Sequence, residues 1–209
     1  NMTSLTDIEL YNCPKISRLP DFYYNLPALQ AMNLARCKGI SANQLRADWT
    51  RLAEEKTGKT VQILYLSYNN LEEFPESSAL SKMVNLGLLD LAYNNIKKLH
   101  PFGTGVSLSS LYLNNNQIEE IPVNLCAFTD DVESLTFAHN KLTKIPNIFD
   151  ASSIRQMGSV DFSYNEITGV DNSKGTYKGI NAATISLSNN KIEKFPSELF
   201  TACLLYTSD

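Results

Sequence analysis

No stretch of this 209-residue chain offers the roughly 18 consecutive apolar residues that a membrane-spanning helix needs, and no charged-then-apolar leader opens it. Histidine is scarce, with two in the chain, and none of the four cysteines forms a C-x-x-C pair. Zinc therefore has no recognisable ligand set, and no cofactor is expected. Positive charge is also in short supply. Eighteen Lys and Arg against 22 Asp and Glu leave a net charge of −4 and a pI near 5.3. A phosphate backbone is held by a positive surface, so nucleic acid is not an expected partner.

Catalytic patterns are missing as well. His100 and His139 have no Ser or Cys nucleophile at a motif spacing. Asp161-x-Ser163-x-Asn165 has the start of a calcium loop, but Glu166 stands where glycine is required and Asn172 where the bidentate Glu should be. Gly103-Thr104-Gly105 and Lys174-Gly175-Thr176 lack the spacing of a phosphate loop. The chain itself is not expected to be an enzyme.

What is present is a period. Val61 to Pro75, VQILYLSYNNLEEFP, places Val61, Leu64, Leu66, Asn69, Leu71 and Phe74 at the fixed offsets of L-x-x-L-x-L-x-x-N-x-L-x-x-[LF]-P. The same frame starts near residues 5, 29, 61, 86, 108, 132, 157 and 182. Its fourth and sixth positions alternate inward, as in Leu64/Leu66, Leu89/Leu91 and Leu111/Leu113. A period of two means a short strand, and units of nearly equal length must stack those strands in parallel. The expectation is one domain over 1–209, of about eight units.

The ninth position reads Cys13, Cys37, Asn69, Asn94, Asn116, Asn140, Asn165 and Asn190. An amide buried where a strand turns into a loop must be hydrogen-bonded, so these residues are expected to form a structural ladder. Cys13 and Cys37 read as buried thiols in the same slot, with a disulfide between them as the alternative. Cys126 reads as core. Proline after the next apolar residues, as in Phe74-Pro75 and Ile121-Pro122, sends the chain across the outer face. Ser197 to Phe200 and Val123 to Cys126 read as one-turn helices there.

One unit is long. Ser41-x-x-Gln44 has the form of a capping box, and Leu45, Trp49 and Leu52 recur at helical spacing until Gly58, which predicts a helical insertion over 41–58 stopped by that glycine. Trp49 reads as its anchor on the core rather than as a binding residue. At the ends, the frame is already running at Leu5, so a longer array is expected. Residues 203–209, CLLYTSD, resemble a translated sequencing-adapter tail and are expected to be non-native.

The frame is identified as that of the leucine-rich repeat proteins, over roughly residues 5 to 200, and in detail it resembles the cell-surface leucine-rich repeat proteins of Bacteroides. The resemblance implies an α/β fold, a right-handed horseshoe solenoid with a parallel sheet on the concave face and short helices or 3₁₀ turns outside. It also implies an extracellular or cell-surface adhesion module, with a cytoplasmic location as the alternative. The partner class would be a protein or a glycan. An intracellular scaffold, or the recognition arm of a larger enzyme, are the competing readings.

A solenoid binds through surface, and its concave face comes first. Six of the ten tyrosines occupy outward strand positions: Tyr11, Tyr65, Tyr68, Tyr93, Tyr112 and Tyr164. Asp7, Glu9, Asp90, Glu133 and Asp161 share that face, and Arg36 is its one basic residue. Tyr65, Asp90 and Tyr112 hold the same fifth position in consecutive units, with Ile63 and Leu88 beside them. Together with Asp161 they are the expected ligand contacts, because tyrosine gives rigid, amphipathic area at low entropic cost. Tyr68, Tyr93 and Tyr164, at the eighth position, read as packing.

Overall fold

The computed structural model describes residues 2–103, 105–106, 108–122, 125, 131–147, 156–171 and 180–200. Outside them lie Thr104, Val123, Asn124, Cys126, Asn172, Lys174 to Thr176 and the 203–209 tail. Each unit contributes one short strand: β1 (Asp7–Glu9), β2 (Ala31–Asn33), β3 (Ile63–Tyr65), β4 (Leu88–Asp90), β5 (Ser110–Tyr112), β6 (Asp131–Thr136), β7 (Gln156–Asp161) and β8 (Ala182–Ser186). They form one eight-stranded sheet in chain order, every neighbour parallel.

The register follows from the apolar pattern. Ile8, Met32, Leu64, Leu89, Leu111, Leu135, Val160 and Ile185 pair in a single line across all eight strands. A slip of one residue would turn this line out to solvent, so the inward residues fix the pairing. From Met32 to Val160 the line is buried, as are Leu34, Leu66, Leu91, Leu113, Phe137 and Phe162 two residues further on. Phe137 and Phe162 stack within this core at 5.6 Å. The result is an open α/β solenoid whose core is bounded on one side by the sheet and on the other by short outer segments.

Those outer segments are a 3₁₀ turn at Asp21–Asn25, the helices α1 (Ala42–Glu54), α2 (Lys56–Thr60) and α3 (Ser77–Leu80), and a 3₁₀ turn at Ser197–Phe200. α1 is the expected insertion, and it differs from the sequence expectation in two ways. Ser41 caps it by accepting from the Gln44 amide at 3.2 Å, but the Gln44 side chain turns forward to Asp48 at 2.7 Å instead of back to the cap. The helix also ends before Gly58, where Glu55 becomes extended (φ −91°, ψ 179°). Gly58 lies inside α2, and a Cβ there would sit 2.1 Å from the Leu52 carbonyl oxygen. Close packing of two helix segments, not termination, is what requires that glycine.

The break at Glu55 lets the insertion clasp the first unit. The Thr57 hydroxyl accepts from the Leu26 amide at 2.8 Å and donates to the Tyr23 carbonyl at 2.7 Å. Asp48, buried on α1, accepts from the Tyr24 hydroxyl at 2.8 Å. Trp49 packs in the core beside Leu45 and Leu52.

Cys13 and Cys37 are free thiols, which removes the disulfide alternative. Cys37 is buried as expected, whereas Cys13 is half-exposed.

Candidate functional site

The ladder at the ninth position sets the geometry of the strand-to-loop turn. Asn116 is representative. Its Nδ2 donates to the Leu113 carbonyl of its own unit at 3.1 Å and to the Leu91 carbonyl of the preceding one at 3.0 Å. Its Oδ1 accepts from the Ile96 amide at 2.9 Å. Asn94, Asn140, Asn165 and Asn190 repeat the pattern, their Oδ1 atoms accepting from Leu71, Ile118, Leu142 and Ile167 respectively at 2.9–3.0 Å. Asn69 donates to Leu34 and Leu66, but its buried Oδ1 has no partner. The preceding unit carries Gly39 at the matching position, pressed so close to the first unit that a Cβ would lie 2.3 Å from the Pro14 carbonyl oxygen. Cys37 reaches back to the first unit through one bond, from Sγ to the Leu10 carbonyl at 3.0 Å, with a longer contact to its own Ala35 carbonyl at 3.8 Å. Burial pushes its thiol above the ordinary range and keeps it a donor.

On the open face of the sheet, strand pairing sets Tyr65 against Asp90 and Asp90 against Tyr112, with Ile63 against Leu88 and Leu88 against Ser110. All five expected contacts in this cluster are half-buried, while Ser110 beside them is buried. Asp161 is also half-buried but lies two strands beyond Tyr112, opposite Thr136, so it stands apart from the cluster.

Asp90 has a second job that the row alone did not indicate. Its Oδ1 accepts from the Ala92 amide two residues on at 2.9 Å. Asp161 does the same for Ser163 at 2.9 Å and Asn33 for Ala35 at 3.0 Å. This is an Asx turn, by which the fifth-position side chain starts the bend into the ladder. Burial raises the Asp90 carboxyl above the usual carboxylate range, against the opposing pull of the Ala92 amide and the Ser67 hydroxyl.

The eighth position departs furthest from expectation. Asn12, Arg36, Tyr68, Tyr93, Asn115, His139, Tyr164 and Asn189, one from each unit, all have φ between 54° and 60°. Asparagine enters this left-handed region readily, but tyrosine does so rarely. The side chains line up along the solenoid. Tyr68 and Tyr93 stack at 4.1 Å and 7°, His139 and Tyr164 at 4.1 Å and 10°. The Arg36 guanidinium lies 4.1 Å over the Tyr68 ring and 6.0 Å from that of Tyr11. Tyr93 remains 44% exposed and Tyr164 51%, so the row packs against itself and not against the core. A hydrogen bond with the Tyr68 hydroxyl pushes the Tyr93 phenol up. Asparagine at positions 12, 115 and 189 was the available signal for the left-handed turn.

On the outer side, α1 and the third unit enclose a cavity of about 390 Å³ over Leu45, Trp49, Leu71 and Phe74. An ion pair of Arg46 with Glu73 at 2.8 Å, and one of Lys82 with Glu54, join the same two units there. The Trp49 indole N–H is buried without a partner.

Comparison with known proteins fits this geometry. The Leucine Rich Repeat family profile matches residues 107–128. Among curated proteins, human lumican is 32% identical over 158 residues, covering 74% of this chain and 44% of lumican. Rat lumican is 33% identical over 144 residues, covering 68% of this chain and 40% of that protein. The chain thus spans about two fifths of the curated relatives it matches. Crystal structures of leucine-rich repeat proteins from Bacteroides eggerthii and Bacteroides thetaiotaomicron are 50% and 58% identical. They superpose with TM-scores of 0.85 and 0.82 over 96% of this chain, which covers 33% and 24% of theirs. A TLR13 chain, solved in complex with ssRNA13, is 23% identical with a TM-score of 0.66 and shares the fold alone. With eight in-register units on one frame, and bacterial relatives at half identity or more across nearly its whole length, the chain belongs to the leucine-rich repeat proteins.

Proposed function

We propose that this segment is a recognition module that binds a protein or a glycan through the open face of its sheet and performs no chemistry on what it binds. Ile63, Tyr65, Leu88, Asp90 and Tyr112 form the primary contact patch, and Asp161 extends it. The observation that carries the reading is the register of β3, β4 and β5, which sets two tyrosines on either side of an acid next to two aliphatic side chains. Aromatic anchors beside apolar area are the usual composition of a binding hot spot. The acidic balance of the chain favours these partners over nucleic acid. The resemblance of the repeat frame to cell-surface leucine-rich repeat proteins supports a cell-surface setting for the parent protein.

The test is selection of binders from a glycan array and a displayed random-peptide library, followed by the paired change Tyr65→Ala with Tyr112→Ala. Affinity for selected binders should fall at least about tenfold, equivalent to ~1.4 kcal/mol. Melting temperature should hold. Loss of melting temperature comparable to that of a ladder substitution would make the row structural and defeat the proposal.

A further inference from the structure

The eighth-position row has one interruption. Arg36, Tyr68 and Tyr93 stack in sequence on one side, His139 and Tyr164 stack on the other, and Asn115 lies between the two groups. Asn115 has the same left-handed backbone as its neighbours (φ 57°), and its amide is bonded in register to the Ala138 carbonyl at 2.9 Å. Its side chain therefore leaves the backbone in the same direction but is too short to reach the level of the rings. The order of the row sets Tyr93 on one side of it and His139 on the other, each backed by a stacked ring. Adjacent rings in this row are 4.1 Å apart, so the two steps from Tyr93 to His139 come to about 8 Å, or ~9.6 Å at ordinary strand spacing. Two van der Waals contacts of about 3.5–4.0 Å each occupy most of that gap. It takes one flat group.

The chain itself indicates which flat group. At the other end of the same row, Arg36 lays its guanidinium on Tyr68 at 4.1 Å. The surrounding face is acidic, with Asp90, Glu133 and Asp161 on its strands and Arg36 as the one basic side chain at its outward strand positions. Lys141 lies beyond the buried Asn140, on the flank. A guanidinium is planar, weakly hydrated and permanently charged, and it stacks on aromatic faces, whereas an ammonium is compact and strongly hydrated. The Asn115 side-chain oxygen at the floor of the gap can accept one of its N–H groups. We propose that the step at Asn115 is a slot for an arginine side chain of a protein partner, inserted between the Tyr93 and His139 rings. The slot rests on recognition through the open face and narrows the partner to a protein presenting arginine.

The three tyrosines and the histidine held in a left-handed conformation also fit this reading. Asparagine would serve the turn with less strain, as it does at positions 12, 115 and 189. The stacked rings are retained in spite of that, and they build rigid walls on both sides of one short residue.

The experiment uses the peptide Ac-Gly-Arg-Gly-NH₂ and its lysine, citrulline and tryptophan counterparts, titrated while the ring resonances of Tyr93 and His139 are followed by NMR. The arginine peptide should shift both rings and bind at least tenfold tighter than the other three. Asn115→Tyr, which continues the stack with a residue already present at this position in three units, should abolish the shifts without lowering the melting temperature. Asn115→Ser, which keeps the gap open, should retain them. Arginine binding unchanged by Asn115→Tyr, or matched by lysine, citrulline or tryptophan, would overturn the slot. If arginine binding survives Asn115→Tyr but is lost in the Tyr65→Ala, Tyr112→Ala pair, the slot falls and recognition by the fifth-position row stands. If neither change affects it, both fall.

Discussion

The first two units and the last five share one frame but are held together differently. From Asn94 onward each ladder asparagine bonds at least two carbonyls and at least one amide, tying its unit to the one before. In the second unit Cys37 supplies one sulfur contact of that kind, and the insertion supplies the rest: Thr57 clasps Leu26 and Tyr23, Asp48 holds Tyr24, and Arg51 reaches Asp21 at 2.7 Å. The junction between the two regimes is Asn69, whose Oδ1 is left unpaired. A thiol with one donor and no strong acceptor cannot replace an amide. Where the repeat relaxes its side-chain rule, neighbouring elements must satisfy the backbone, and at Asn69 one atom is missed.

The comparison can be tested by substitution, starting where the largest loss is expected. Asn116→Ala leaves two carbonyls and one amide without their partner, and should cost about 3 kcal/mol at roughly 1 kcal/mol or more per group, read by denaturant unfolding. Asn69→Ala loses two bonds and an oxygen that had no partner, so its cost should be smaller by about 1 kcal/mol. Equal costs would mean that the unpaired oxygen is not a real asymmetry. Cys37→Ala should cost less again, about 1 kcal/mol, because one weak donor and one buried sulfur are removed.

The smallest effect concerns charge. Asp90 has a raised folded pKa, so the folded state holds its proton to higher pH than the unfolded state does, and stability falls as pH rises above the ordinary carboxylate value of about 3.9. Asp90→Asn keeps an acceptor for the Ala92 amide, as Asn33 does for Ala35. It should therefore be at least as stable as the wild type at pH 7 and lose that part of the pH dependence in a melting series. A variant less stable at pH 7 would show that the ionised carboxylate is needed where it is.

Much of the fold was legible because it depends on offsets. Leu64, Leu66 and Asn69 announce strand, core and turn through spacing alone, and the paired register of all eight strands follows from the repeat of those offsets. The candidate site was legible in part. Alternation shows that Tyr65, Asp90 and Tyr112 face outward and share a row, but not that Asp90 also closes a turn. Asn, Asp or Thr at the fifth position of four units is a usable signal for that turn, since a short polar side chain there can reach the amide two residues on. The stacking of Tyr68 on Tyr93 was hidden for a different reason. It depends on a left-handed φ shared by successive units, and a bulky residue gives no local hint of one. Gly58 misled because glycine serves close approach and helix termination equally well.

The shared backbone at the eighth position has a wider consequence. Eight residues adopt nearly one dihedral angle whether the side chain is asparagine, arginine, histidine or tyrosine. The main chain there behaves like a rack with identical fittings, into which different side chains can be placed without moving the rack. Substitutions along this line can rewrite the chemistry of the surface while the sheet beneath keeps its shape, so related arrays could diverge in what they recognise without diverging in fold.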